Sequence, residues 1–339
     1  MKNTSKIQEP FHASQLMLRE RLQLFINTLH PVLKEDVIRA LEGPGKLFFK
    51  DGSIEEAKNP VGVWALLPLL VAQQIAPDID RQYACSVAVA VECFICALDL
   101  LDDVEDDDPT PIVCNLGNAR VLNTSTTLLM LTYHILLSLS ELGVPSTTVI
   151  SLLNVFQKTA LNATTGQHRD ILAEQRLAES FTLEECIEIA EGKAGSLMSL
   201  ACSIGAFCAN ANDEVLSQFS ELGKLLGIAH QLDNDSHDLS HILQHPQMSE
   251  SAWTIKTDLI RQKKTLPIVL AAHATFALQI SSLATDEEKQ KVRIGVLHEG
   301  IITTWGISLL YRERAHNQLR QIEAQYSTSH TLRLLLGFA

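Results

Sequence analysis

Glycine and proline are scarce in this 339-residue chain, at 16 and 11 residues. An all-β sandwich or barrel needs many turn-forming residues, so the scarcity disfavours one. Aromatic residues make up only 5%. The core must therefore be built from Leu, Ile, Val and Ala, which pack well between helices. Positive charge is short too: 27 Lys and Arg stand against 40 Asp and Glu, a net charge of −13. Such a chain has no surplus cations to displace counterions from nucleic-acid phosphate, so nucleic acid is not its partner. The same acidity opposes a phosphorylated substrate unless cations mediate. Residues 1–12 carry no apolar run, so no secretory signal is expected there. The seven cysteines then read as reduced thiols in a cytoplasmic protein. Cys93 and Cys96 form a C-x-x-C with no second pair and no neighbouring His, which suits buried small residues better than zinc or redox chemistry.

What is present is helical periodicity. With 46% hydrophobic and 20% charged residues the composition is globular. Apolar residues recur at helical spacing over 14–42, 60–75, 80–106, 119–142, 146–173, 182–210, 213–239, 252–283, 285–301 and 303–325. The most apolar stretch, 83–101, contains Glu92 and Asp99, so it reads as a buried helix and the chain as not membrane-spanning. Gly43-Pro44-Gly45 ends the first helix, and Pro109 and Pro111 end the third. Thr182, with Glu185 three residues on, marks a helix start, and Asp213 is placed to cap the helix after it. No composition shift or repeat divides the chain. The expectation is one all-α domain over 1–339.

Residues 102–108 hold six carboxylates in seven positions directly after an apolar helix. Asp102 and Asp106 share a helical face, and like charges at that spacing repel. A hard divalent cation such as Mg²⁺ relieves the repulsion; the plainer alternative is a solvated helix end. A second cluster, Asp233-Asn234-Asp235-Ser236-His237-Asp238, closes the apolar run 222–232. Two such clusters suggest carboxylate walls that hold several ions against a diphosphate. Lys193 lies between small residues in Gly192-Lys193-Ala194-Gly195, which let a partner approach closely; the alternative is a snorkelling surface lysine. Lys263-Lys264-Thr265-Leu266-Pro267 opens an apolar run and, taken alone, reads as charge at a helix end. The histidines lack ligand spacing, so no zinc is expected.

In this order the motifs resemble the trans-isoprenyl diphosphate synthases, the polyprenyl synthetase family. Asp102, Asp103 and Asp106 resemble its D-D-x-x-D. Gly166-Gln167 with Asp170 resembles G-Q-x-x-D, and Lys193-Ala194 resembles its Lys-Thr. Gly227-Ile228-Ala229-His230-Gln231 leading to Asn234, Asp235 and Asp238 resembles the second aspartate motif. Lys264-Thr265-Leu266-Pro267 resembles K-x-T-L-P, and 311–325 the last long helix. The resemblance implies an all-α bundle of long helices around a deep apolar cavity, a homodimer, and an allylic prenyl diphosphate as substrate. Three Mg²⁺ ions would be held by Asp102, Asp103, Asp106, Asn234, Asp235 and Asp238. Lys193, Gln231 and Lys264 would grip the leaving diphosphate, with Lys46 and Gln167 also on the substrate. Leu98 and Ala97, four and five residues before the motif, would border the hydrocarbon. Their modest size, with Cys93 a turn below, leaves room for a C15–C20 chain, and Phe94 and Phe156 are candidates to close the floor.

The departures from the family pattern are informative. Where chain elongators carry G-G-K-R-x-R-P, this chain has Gly45-Lys46-Leu47-Phe48-Phe49, keeping the lysine and losing both arginines. No arginine occurs in 109–117 after the first acidic motif. Phe or Leu cannot replace bidentate arginine on a phosphate, so isopentenyl diphosphate is expected to be a poor co-substrate. Asn234 in place of the usual Asp resembles class I terpene cyclases, and 166–171 with 193–197 resembles the bacterial transferases that prenylate a peptide pheromone. Prenyl-chain synthesis, cyclisation and transfer to a non-isoprenoid acceptor thus all belong to the expectation. A non-catalytic synthase subunit fits poorly, because the aspartates are retained.

Overall fold

The computed structural model describes residues 9–49, 61–244, 263–277, 285–326 and 329–338, and every regular element among them is helical. They fall into two compact units, Met1–Gln157 with Leu200–Ser220 and Leu319–Ala339, and Lys158–Ser199 with Glu221–Gln318.

In the first unit, α1 (His12–Ile26) and α2 (Pro31–Leu41) replace the single helix expected over 14–42. Pro31 has no N–H to continue the ladder and instead starts α2 at its favoured first position. α3 (Val63–Ile75) follows, then α4 (Arg81–Glu105), capped by the Asp80 carboxylate accepting from the Tyr83 N–H at 2.8 Å. α4 is apolar on all sides because all sides are covered: it packs on α1, α3 and on α6 (Asn118–Leu137), and its residues 84–97 are buried. By length and composition it could cross a membrane, yet it lies inside this unit. Ser125 Oγ on α6 donates to the Ala97 carbonyl at 2.8 Å. Phe94 and Phe156 meet edge-on, 5.3 Å between centroids.

The end of α4 is set before either proline. Asp107 takes the left-handed conformation at φ 53°. The Asp108 N–H reaches the Asp103 carbonyl at 2.8 Å, and the Asp107 N–H the Val104 carbonyl at 3.3 Å. That is a Schellman closure with aspartate where glycine is usual. A short α5 (Pro111–Leu116) follows, between the helices expected over 80–106 and 119–142. After α6 the chain tightens into a 3₁₀ turn, Ser138–Leu142, so the helix expected over 119–142 changes pitch at its end.

Helix α7 (Ser146–Ala173) leads into the second unit. The Thr182 capping box is formed: Thr182 Oγ1 accepts from the Glu185 N–H, and the Glu185 carboxylate accepts from the Thr182 N–H, at 3.1 and 2.8 Å. The helix expected over 182–210 is instead α8 (Leu183–Ala190), a π-helical turn Glu191–Gly195, and α9 (Ser196–Cys208). Helix α10 (Asp213–Gln244) is capped by Asn212, whose Oδ1 accepts from Val215 N–H at 2.9 Å, not by Asp213. α10 runs straight through the second acidic cluster, which therefore lies within a helix. Of 252–283, the described part is α11 (Leu266–Ala277). The two helices expected over 285–301 and 303–325 are one, α12 (Asp286–Glu323), and α13 (His330–Leu335) is last. Phe181, Ile189, Ile228, Leu232, Leu266 and Val269 build the core of the second unit.

Candidate active site

In the first unit the D-D-x-x-D residues occupy the last turn of α4 and its cap. Asp102 and Asp103 are half-buried, and Asp106 is 2% exposed. Asp103 accepts from Thr110 Oγ1 at 3.0 Å. Burial pushes its carboxyl up to about 6, with the charges of Asp99, Asp108 and Asp102 adding to the effect. Carboxylates held together against their own repulsion suit a cation, and oxygen is the donor Mg²⁺ takes. Mg²⁺ keeps several waters and uses one or two carboxylates with substrate phosphates. The donor set thus fits such an ion, although among the described residues no group of three His, Cys, Asp or Glu is placed to hold one unaided.

Two further acids on α4 were not assigned from sequence. Asp99 is ion-paired with Lys46. Glu92 is fully buried and accepts from the Leu47 N–H at 2.7 Å. Burial raises the Glu92 carboxyl, opposed by the Lys46 charge and by that hydrogen bond. Lys46, expected on the substrate, is thus engaged within the protein. Ala97 is fully buried and Leu98 half-buried. Cys93 and Cys96 are buried on the same helix, the Cys96 thiol pushed up to about 12 chiefly by burial.

The second unit gathers the lysines. Lys193 Nζ donates to Asp170 Oδ2 at 3.0 Å, and Lys263 Nζ lies 3.8 Å from the same oxygen. Asp170 and Gln167 are buried on α7, one turn apart on one face. The π-turn puts Lys193 there. A Cβ on Gly166 would lie 2.7 Å from the Gly192 carbonyl carbon and 2.8 Å from Lys193 N, so two glycines let α7 and the π-turn touch backbone to backbone. On α10, a Cβ on Gly227 would lie 2.3 Å from the Ala194 carbonyl oxygen. The turn is wedged between two helices, and its extra residue re-aims a side chain that a regular helix would direct elsewhere.

Lys264, the lysine chosen from sequence, is buried, and its Nζ donates to the Glu174 carbonyl at 3.4 Å. Burial lowers its pKa. Lys263 was passed over, although the signal was there: read from Lys263, the K-x-T-L-P pattern is met in full by Thr265, Leu266 and Pro267. On α10, Gln231 Nε2 donates to Asp235 Oδ1 at 2.9 Å, so expected diphosphate and metal contacts bond each other. Asn234 is exposed, with its amide 3.4 Å from the His230 ring. Arg312 on α12 pairs with Asp233, a link invisible in sequence across 79 residues. Asp238 continues α10, but its side chain lies outside the described residues.

An all-α chain with carboxylates closing one buried apolar helix and lining another, and with a lysine cluster beside the second, defines the isoprenoid-synthase class of fold. Solved structures have the same fold. Geranylgeranyl pyrophosphate synthetase from Geoglobus acetivorans superposes with a TM-score of 0.70 at 19% identity, over 99% of this chain and 97% of that one. A decaprenyl diphosphate synthase from Rhodobacter capsulatus gives 0.73 at 14% identity, over 98% and 96%. The family model described as polyprenyl synthetase matches residues 64–296, and the chain belongs to that family. Among curated proteins it is similar to the tryptophan prenyltransferase ComQ of Bacillus spizizenii, 32% identical over 45% of this chain and 50% of that protein. It is also similar to a geranylgeranyl diphosphate synthase of Mycobacterium tuberculosis, 29% identical over 64% of this chain and 61% of that protein. The chain spans roughly half the length of the first of these relatives.

Proposed function

We propose that this protein is a Mg²⁺-dependent prenyltransferase that ionises an allylic prenyl diphosphate of C15–C20 length. The observation that carries the reading is the lysine cluster: Lys193 and Lys263 share one buried carboxylate, with Lys264 next in sequence. Two lysines converging on one buried carboxylate gather cationic groups in one place, which suits an anion, in a chain that is otherwise acidic. Lys193, Lys263 and Lys264, with Gln167 and Gln231, bind the diphosphate and stabilise the charge it gains as its C–O bond breaks. Asp102, Asp103 and Asp106, together with Asn234, Asp235 and Asp238, are the oxygen donors for Mg²⁺. Mg²⁺ bound there neutralises developing charge on the leaving group. Ala97 and Leu98 border the hydrocarbon. The exposed apolar side chains of Leu122, Met130 and Leu137 on α6 support a homodimer.

The acceptor follows from what the Lys46 loop lacks. Leu47 and Phe49 stand where elongating relatives carry arginines, which favours an acceptor other than isopentenyl diphosphate. The similarity to a tryptophan prenyltransferase is in line with that. The test is incubation with C10 to C20 allylic diphosphates and Mg²⁺, with and without isopentenyl diphosphate, followed by diphosphate quantitation and product extraction. Mg²⁺-dependent release from a C15 or C20 substrate is expected. Absence of release from every allylic diphosphate would overturn the reading.

A further inference from the structure

The acidic stripe of α4 begins a turn earlier than D-D-x-x-D. Asp99 precedes Asp102 and Asp103 by three and four residues, so the three share a face. Its carboxylate holds the Lys46 ammonium, with 13% of the Lys46 side chain and 45% of the Asp99 side chain exposed. The segment that delivers Lys46 is clamped on both sides of the next residue. The Leu47 N–H donates to Glu92 Oε1 at 2.7 Å, and the Leu47 carbonyl accepts from Arg19 Nε at 2.7 Å. The Leu47 side chain is fully buried. The backbone that carries Lys46 is therefore fixed by charge-assisted hydrogen bonds, the costly kind to lose.

At this end of α4 the Lys46 ammonium is ion-paired with Asp99, and buried Glu92 lies near enough to act on it as well. Such a group has no positive charge left over for a further anion, and a diphosphate brought beside Asp99 would meet net repulsion.

We infer that Asp99 is a specificity-determining residue: by taking Lys46 as its counter-ion it closes the foot of α4 to a second diphosphate, so the acceptor carries none. The inference rests on the prenyltransferase reading above and adds, beside the missing arginines, a residue that acts on the acceptor class. It is tested by titrating inorganic pyrophosphate into the full chain in Mg²⁺ buffer, with calorimetric stoichiometry as the readout. The unmodified chain should bind one pyrophosphate. Asp99→Asn should bind a second, which the double variant Asp99→Asn/Lys46→Met loses, while Asp99→Glu keeps the single-site behaviour. Two pyrophosphates on the unmodified chain would overturn the inference and leave the enzyme reading standing. A folded Asp99→Asn, by circular dichroism, that still binds one would also overturn it. No binding to the unmodified chain would overturn the enzyme reading and the inference with it. The unmodified stoichiometry needs no variant, so a misfolded Asp99→Asn leaves the inference exposed to refutation.

Discussion

Adding one methyl group at Gly166 should separate positioning from folding. The new Cβ would stand 2.7 Å from the Gly192 carbonyl carbon and 2.8 Å from Lys193 N, both backbone atoms that no rotamer change can move. Ordinary contact begins about 0.6 Å farther out, so the π-turn must retreat from α7 by roughly that much. Asp170 is one turn beyond Gly166 on α7, and its 3.0 Å bond to Lys193 spans the gap being widened. Stretched by about 0.6 Å it passes out of hydrogen-bond range. Overpacking of this kind costs about 1–3 kcal/mol, and a misplacement approaching 1 Å costs up to about 100-fold in rate. Gly166→Ala should therefore lower the urea midpoint at unchanged slope and cut diphosphate release by about 10- to 100-fold. The control is Gly295→Ala on α12, where nothing lies within 4 Å of the added atom. There the gain in helix propensity should add about 0.5–1 kcal/mol. A Gly166→Ala protein as stable and as fast as the parent would refute the account of the π-turn as the element that aims Lys193.

Other expectations follow from particular residues. Asp107→Gly relieves a left-handed aspartate at the end of α4 and should raise unfolding free energy by about 1 kcal/mol in chemical denaturation. Asp102→Ala should abolish diphosphate release with an unchanged melting curve; Asp106→Ala should lose activity and stability together, because Asp106 is buried. Ala97→Phe should destabilise by about 1–3 kcal/mol, since the site is fully buried, and should shorten the preferred prenyl chain; an unchanged product profile would move the chain elsewhere. The Glu185 carboxyl is held down at about 2, first by the Arg176 hydrogen bond and then by the Thr182 N–H. A depressed carboxyl stabilises the fold fully above its unfolded value near 4.5, and that contribution is lost as pH falls from there through about 2. Arg176→Gln should accordingly be less stable than the parent at neutral pH, with the gap closing as acid is added; a gap that persists at pH 2 would show the pair does not act through charge.

Helix content, the acid-ended α4, the Thr182 cap and the family itself were legible in the sequence, because each depends on neighbours within a few positions or on motif order. A 3.6-residue period, a capping box and a carboxylate pair at i, i+4 are local facts. The cap of α10 was misread by one residue, since Asn212 and Asp213 are both competent and only the backbone angle chooses between them. The K-x-T-L-P spacing already singles out Lys263 over Lys264, but that Lys263 meets Asp170, 93 residues away in sequence, was decided by tertiary structure. It alone broke 182–210 into two helices around a π-turn: the close approach of Gly166 and Gly227 to that turn comes from packing between segments remote in sequence. It alone bound Lys46 to Asp99, 53 residues away. In sequence Asp99 is one more polar residue on an apolar helix, and its charge acquires a role only when folding removes water and brings a single cation to meet it.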